Sequence, residues 1–290
     1  MRMRNRKLFI LLVLCLGVLI YAHAEPVVSY LGPEGTYSQE ACQVFIGKQG
    51  TFIPFESVDK AVKALVDRKS EYAVIPQENT LGGAVFDYVD VLIAHKEVYV
   101  SGEVELLINQ NLLAFPGAKL SDIKEVFSHK QGIIQGREWL DKNIPDAKVT
   151  EVSSTAEGAR LVSEKKDSSY AAISSAACAG VYGLEILAPG IQNNNSNKTR
   201  FYVLSLKEPA DEPAQRLAFI AIGKADNLPA LMAAMKKKKM TLITIHDRPR
   251  KTELGEYYYL IECTGSYKSY QKLAGKSSFD LRYLGSFDVR

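Results

Sequence analysis

From Val27 to Ser205 the chain alternates brief apolar runs with capped amphipathic stretches, and this alternation restricts the fold more than any other feature. VVSYL (27–31), YAVIP (72–76), KEVFS (124–128), YAAIS (170–174) and FYVLS (201–205) are short, β-rich and flanked by Gly, Ser or Pro, so they read as buried strands. Between them, Ser57 stands ahead of a stretch from Val58 to Val66 with apolar residues at helical spacing, and a hydroxyl again precedes the stretch from Thr155 to Val162. Strand–helix alternation implies a parallel or mixed sheet covered by helices. Two such modules predict two α/β lobes with a cleft between them.

Leu206 to Gln215, LKEPADEPAQ, carries two prolines and a run of charge, and it reads as a linker. Beyond it lies a distinct small unit. RLAFIAIG reads as a strand and Asn227 to Lys238 as a helix; MTLITIHDRP and EYYYLIEC read as strands, with a short helix from Ser266 and a last strand near LRYLGSF. That order, β-α-β-β-α-β, is a ferredoxin-like unit. The expected boundaries are 25–207 for the two lobes, 208–215 for the linker and 216–290 for the tail. The run Lys236 to Lys239 is read as a solvated helix end, where cations suit the helix dipole.

The amino terminus reads as an export signal. Arg2, Arg4, Arg6 and Lys7 lead into thirteen residues, Leu8 to Ile20, of which only Gly17 is not strongly apolar, and Ala22-His23-Ala24 comes next. A thirteen-residue helix covers about 20 Å, short of a membrane span of about 30 Å, so a stable anchor is not expected. Processing after Ala24 would give a periplasmic or secreted protein. Without residues 1–24 the formal charge changes from +3 to about −1, because no acidic residue precedes Glu25. The basic excess therefore offers no case for nucleic acid. Cys42, Cys178 and Cys263 remain, an odd number with no CxxC or zinc spacing, and His95, His129 and His246 are too scattered for a metal pair. No metal site is expected.

Five polar islands lie among these elements: GPEGTYS (32–38), PQENTLGG (76–83), SHKQG (128–132), SSTA (153–156) and NKTRF (197–201). All five are read as lying where strands stop, the place where open α/β sheets bind ligands. Together they offer hydroxyl, amide and N–H donors plus one arginine, which suits a small molecule bearing carboxylates. No GxSxG, P-loop or dinucleotide fingerprint is present.

On GPEGTYS, IPQENTLGG, SHKQ, the STA tripeptide and above all NKTRF, the mature chain resembles the prephenate dehydratases over residues 27–289. The tail is similar to the ACT domain of that family, with HDRP where the domain usually reads ESRP. The resemblance implies a two-lobed α/β catalytic region of the type II periplasmic-binding-protein layout, with the ACT-like unit after it. It implies conversion of prephenate to phenylpyruvate without a cofactor. The residues it carries over are Thr199 as hydrogen-bond donor or relay to the departing hydroxyl, with Asn79 and Gln131 lining the site. Arg200 is expected to pair with a substrate carboxylate, Thr36, Thr80, Ser154 and Thr155 to contact carboxylates at helix starts, and Phe201 to line the site. His129 is expected to pack rather than act as a base, and Glu78 to orient Asn79.

The chain also departs from the family pattern. Lys130 stands where Pro is usual, Asn193 where an acid is usual, and Gly82-Gly83 replaces an acid-plus-Gly ending. In the tail, Asn227-Leu228-Pro229-Ala230-Leu231 replaces Gly-Ala-Leu. His246 replaces the Glu ahead of Asp247, Arg248 and Pro249. Leu231 and residues 246–249 match the phenylalanine site of relatives, so phenylalanine is a candidate effector whose inhibition is expected to be weak. A homodimer or homotetramer is expected, because four-stranded sheets leave open rims. Arogenate dehydration is the neighbouring alternative. An exported solute-binding protein or an inactive sensor is the reading from a different class.

Overall fold

The computed structural model describes residues 25–209 and 212–290. The expected signal segment, 1–24, lies outside the described residues. The first lobe runs through β1 (Val27–Leu31), α1 (Tyr37–Ile46), β2 (Thr51–Phe55), α2 (Val58–Val66), β3 (Tyr72–Asn79), the short β4 (Gly83–Ala84), α3 (Asp87–Ala94) and β5 (Tyr99–Leu107). The chain leaves for the second lobe and returns at β11 (Lys198–Ser205). The sheet order is β2-β1-β3-β11-β5 with β4 on β3. β1, β2 and β3 are parallel; β11 is antiparallel to both of its neighbours.

The second lobe is inserted whole: β6 (Asn111–Ala114), β7 (Glu125–Ser128), α4 (Lys130–Asn143), β8 (Lys148–Glu151), α5 (Thr155–Lys165), β9 (Tyr170–Ser174), α6 (Ala176–Tyr182) and β10 (Glu185–Ala188). Its sheet order is β10-β6-β9-β7-β8. The backbone therefore crosses between lobes twice, after β5 and before β11. This is the two-lobed layout expected from the sequence. The caps read from sequence form as well. Ser57 Oγ accepts from Lys60 N at 3.1 Å, and Ser154 Oγ accepts from Glu157 N at 2.9 Å. Each such cap contributes about 0.5–2 kcal/mol.

The tail folds as β12 (Arg216–Lys224), α7 (Leu228–Lys237), β13 (Leu242–Pro249), β14 (Glu256–Cys263), α8 (Tyr267–Ala274) and β15 (Asp280–Phe287). Its order, β13-β14-β12-β15 with every pairing antiparallel, is ferredoxin-like. Alternation along β12 explains how it sits. Leu217, Phe219 and Ala221 pack with Leu231, Met235, Tyr270 and Leu273 beneath α7 and α8. Ala218 and Ile220, on the other face, join Leu260, Leu284 and Phe287 in one core with Tyr88, Leu92, Val100 and Tyr202 of the first lobe. A sheet apolar on both faces must be covered on both, so the unit beyond the linker docks instead of standing apart.

Backbones meet closely at that junction. A Cβ at Gly285 would lie 2.2 Å from the Val100 carbonyl oxygen, so only glycine admits the approach. Past β15, the chain end hydrogen-bonds to β5: Glu103 N donates to Asp288 O (3.1 Å) and Arg290 N to Glu103 O (2.9 Å). Leu231, expected at an effector site, is 3% exposed and belongs to the core under α7. Among the described residues no helix is long and apolar enough to cross a membrane.

Candidate active site

Four of the five islands sit at the carboxyl ends of strands, as expected. The fifth does not, since NKTRF opens β11 instead of ending it. β11 runs antiparallel to β3, so its beginning lies beside the end of β3, with Thr199 paired to Asn79 and Arg200 to Glu78. Strand direction thus restores the juxtaposition that the motif order suggests.

Asn79 is fixed by its own turn. Its Oδ1 accepts from Leu81 N (3.0 Å) and Gly82 N (2.8 Å), which settles which end of the amide is the donor. Nδ2 then donates to Thr199 Oγ1 at 2.9 Å and to Lys198 O at 3.2 Å. A threonine hydroxyl that accepts from an amide keeps its own hydrogen to donate. Gln131, in the first turn of α4, comes from the other lobe to the same place. Its Nε2 and Asn79 Oδ1 each lie 3.4 Å from the point a Cβ on Gly82 would occupy. The absence of a side chain at Gly82 is what leaves room between them. Thr155, first residue of α5, stands beside the start of α4: its Cγ2 is 3.2 Å from the Cβ position of Gly132. The starts of α4 and α5 therefore lie side by side, with Gln131 reaching from the first of them toward Asn79, and helix starts favour anions.

The lobes are also held together beside this site. Ser175 Oγ donates to Gly35 O at 2.8 Å, Cys178 Sγ lies 3.2 Å from the same oxygen, and Tyr182 Oη donates to Glu34 O at 2.9 Å. A Cβ on Gly35, whose φ is +80°, would meet Cys178 Sγ at 2.7 Å. Cys42, Cys178 and Cys263 are free and buried, and burial raises the Cys178 thiol above its ordinary range, so it packs as an apolar group.

Several expected contacts are placed elsewhere. Arg200 does not face the cleft. Successive residues of a strand point to opposite faces, so Arg200 turns away from Thr199 and toward the C-terminal unit. Its Nε and Nη2 bind the two oxygens of Glu103 at 2.7 and 2.8 Å, Nη1 reaches Glu78 at 3.3 Å, and Nη2 also binds Glu262. Glu78 accordingly pairs with Arg200 and does not orient Asn79. Phe201 is 2% exposed, in the core with Val28, Tyr30, Ala41 and Val104, and lines no site. Thr36 donates its hydroxyl to Leu31 O at 3.3 Å, and Thr80 Oγ1 both donates to Lys198 O and accepts from Lys198 N at 3.1 Å. Both hydroxyl hydrogens thus point to backbone carbonyls in this structure. Ser154 caps α5 but accepts there, so its hydrogen is still available. His129 caps α4, its Nδ1 accepting from Gln131 N at 3.3 Å, and it thereby supports Gln131. Hollows of about 850 and 690 Å³ lie beside the linker and by Tyr37, Glu40, Asn109 and Ser175. Neither is lined by Asn79, Gln131 or Thr199. The polar constellation, not cavity size, marks this site.

The prephenate dehydratase family model matches residues 28–209, which spans both lobes. The chain belongs to the prephenate dehydratase family. A bifunctional chorismate mutase/prephenate dehydratase from Neisseria gonorrhoeae is 32% identical over 268 residues, covering 90% of this chain and 74% of that protein. The crystal structure of a prephenate dehydratase from Arthrobacter aurescens, in complex with L-Phe, superposes with a TM-score of 0.81 at 28% identity and covers 90% of both chains. A quorum-quenching acylase, GqqA, reaches a TM-score of 0.82 over 91% of this chain at 22% identity, a likeness of fold alone. Within the prephenate dehydratase fold, the buried glutamates Glu103 and Glu262 are what sequence reading missed. Glu103 and Glu105 alternate in SGEVELL like a solvated strand face, and Glu262 lies far along the chain.

Proposed function

We propose that this chain dehydrates and decarboxylates prephenate to phenylpyruvate, a carbon–oxygen lyase reaction. The observation that carries the reading is the Asn79–Thr199 pair at 2.9 Å, locked by the turn after β3 and faced by Gln131 from the other lobe. The ring carboxylate leaves as carbon dioxide, its bonding electrons aromatise the ring, and the ring hydroxyl departs as water with the net uptake of one proton. A threonine hydroxyl is too weak an acid to ionise, so Thr199 stabilises the departing oxygen by donating a hydrogen bond or relaying a proton. Neutral donors and helix starts hold the two carboxylates: Gln131, Thr155, Ser154 and the N–H groups opening α4 and α5. With Arg200 turned away, recognition of the dianion rests on these groups. The test is turnover of purified chain with prephenate, monitored by the absorbance of phenylpyruvate enolate. Product at many turnovers per chain supports the reading; tight binding without product would make the chain a carrier.

The C-terminal unit is proposed to be an ACT domain, which its β-α-β-β-α-β order supports. Phenylalanine, bound by the Arthrobacter relative, is the corresponding effector candidate. In this chain Arg248 is paired with Asp90 through Nε (2.6 Å) and Nη2 (2.7 Å), and His246 Nδ1 bonds to Tyr88 Oη, so these two side chains of HDRP hold the tail to the first lobe. Asp247 and Pro249 are exposed. In the same assay, added phenylalanine is expected to inhibit only weakly; sharp inhibition at micromolar concentration would contradict this. β13 leaves one edge of the sheet open, which supports self-association into a dimer or tetramer. We also propose export, on the basic, apolar and small-residue order of residues 1–24. Amino-terminal sequencing of the protein outside the cytoplasm should begin at Glu25.

A further inference from the structure

β11 carries two neighbours that face two ways. Thr199 looks into the cleft; Arg200, one peptide and about 3.8 Å along, is gripped from the far side. Across the β3 ladder the same division recurs, with Asn79 on Thr199 and Glu78 on Arg200. The ladder is irregular between Arg200 and Phe201, and such bulges re-aim side chains.

What grips Arg200 comes from two units. Glu103 belongs to β5 of the first lobe and Glu262 to β14 of the tail, and both side chains are fully buried. Arg216 of β12 binds both of these carboxylates, at 2.7 and 2.8 Å, and Glu105 at 3.0 Å. Glu262 is itself fixed by donors from the first lobe, Tyr202 Oη at 2.7 Å and Gln77 Nε2 at 3.1 Å. A planar guanidinium held through all three nitrogens has neither its position nor its rotation free. Docking of the tail alone would not need this. The apolar face of the sheet already buries Ala218, Ile220, Leu260, Leu284 and Phe287, and a buried ion pair is a poor source of net stability.

We propose that Glu262 and Arg216 of the C-terminal unit are positioning residues for Thr199: through Arg200 they fix the stretch of β11 that aims its hydroxyl at the substrate. The inference rests on the role given to Thr199 above. It makes turnover, not affinity for prephenate, depend on how the tail is seated.

The test is a double-mutant cycle on the full chain. Glu262→Gln keeps the side-chain shape and removes the charge; it is expected to lower kcat about tenfold or more with KM within about twofold. Introduced into Thr199→Ala, the same change is expected to cost almost nothing further, since there is no hydroxyl left to aim. A merely structural loss would lower the rate by the same factor in both backgrounds, and that result would overturn the proposal, as would a change confined to KM. If Glu262→Gln shows no cooperative unfolding transition, Tyr202→Phe replaces it. That variant removes only the donor to Glu262, and it is expected to lower kcat severalfold in the parent and not in Thr199→Ala. An unchanged rate in Thr199→Ala alone would instead sink the reading of Thr199, whereas a crippled Thr199→Ala beside a fully active Glu262→Gln and Tyr202→Phe would sink only this inference.

Discussion

Arg200→Met is expected to destabilise the folded chain by about 3–5 kcal/mol, the cost of removing one partner from a buried charge pair. The methionine fills a similar volume, so the loss is electrostatic. Arg200 is only 13% exposed, and it bridges Glu103, Glu78 and Glu262. Burial works against its charge, but the bonds to Glu103 and the nearby Glu262 outweigh burial and raise its pKa further. Without it, Arg216 is left as the single guanidinium among these buried carboxylates. The two glutamates respond differently. Burial pushes Glu103 up despite its bonds to Arg200, while Arg200, Tyr202, Gln77 and Arg216 together overcome burial and hold Glu262 below its usual range.

Protonation of Glu103 sets the sign of the pH dependence. In the variant its carboxyl rises further, and a carboxyl whose folded pKa exceeds its unfolded value of about 4.3 binds more protons folded than unfolded. The variant therefore regains stability as pH falls toward that value, and its deficit against the parent is larger at about pH 8 than at about pH 5. Urea unfolding at the two pH values reads both effects. A deficit below about 1 kcal/mol at neutral pH would mean that the cluster is solvated like a surface ion pair.

Much of the architecture is legible in the sequence because local signals agree with the global fold. Ser57 and the hydroxyl ahead of Thr155, that of Ser154, cap the helices they are expected to cap, the short helix expected from Ser266 begins there, and β12 reads as a strand in both sequence and structure. The docking of the tail is legible in principle, since RLAFIAIG is apolar at successive positions and so must be covered on both faces. The orientation of Arg200 is obscured for a different reason. NKTRF invites reading as one patch, yet period-two alternation separates Thr199 from Arg200, and Phe201 returns to Thr199's side only to be covered by the core. The partners of Arg200 cannot be found locally at all. Glu103 lies 97 residues before it and Glu262 lies 62 after it. Only tertiary pairing turns those glutamates from an ordinary solvated pattern into a buried clamp. Thr36 and Thr80 depart from expectation on chemistry: a hydroxyl at a helix start or a turn is as readily taken by a backbone carbonyl as by a ligand.

Thr199→Ala is expected to have the largest effect on rate. The fold should tolerate it, because the side chain is half-buried at the start of β11 and loses one hydrogen bond, from Asn79 Nδ2. The net value of such a bond is about 1 kcal/mol. The rate should suffer far more, since positioned proton donors contribute about 10²–10⁴-fold to reactions with poor leaving groups. The ring hydroxyl of prephenate is such a group, and Thr199 is the hydroxyl that Asn79 holds in place at the mouth of the cleft. Binding should survive, as the carboxylates are held by other groups. The decisive measurement is therefore prephenate turnover and prephenate affinity on the same two proteins, parent and Thr199→Ala. The account predicts a parent that forms phenylpyruvate and a variant that binds prephenate within a few-fold of the parent while turning it over at least about a hundredfold more slowly. A variant that forms phenylpyruvate at the parent's rate would contradict it.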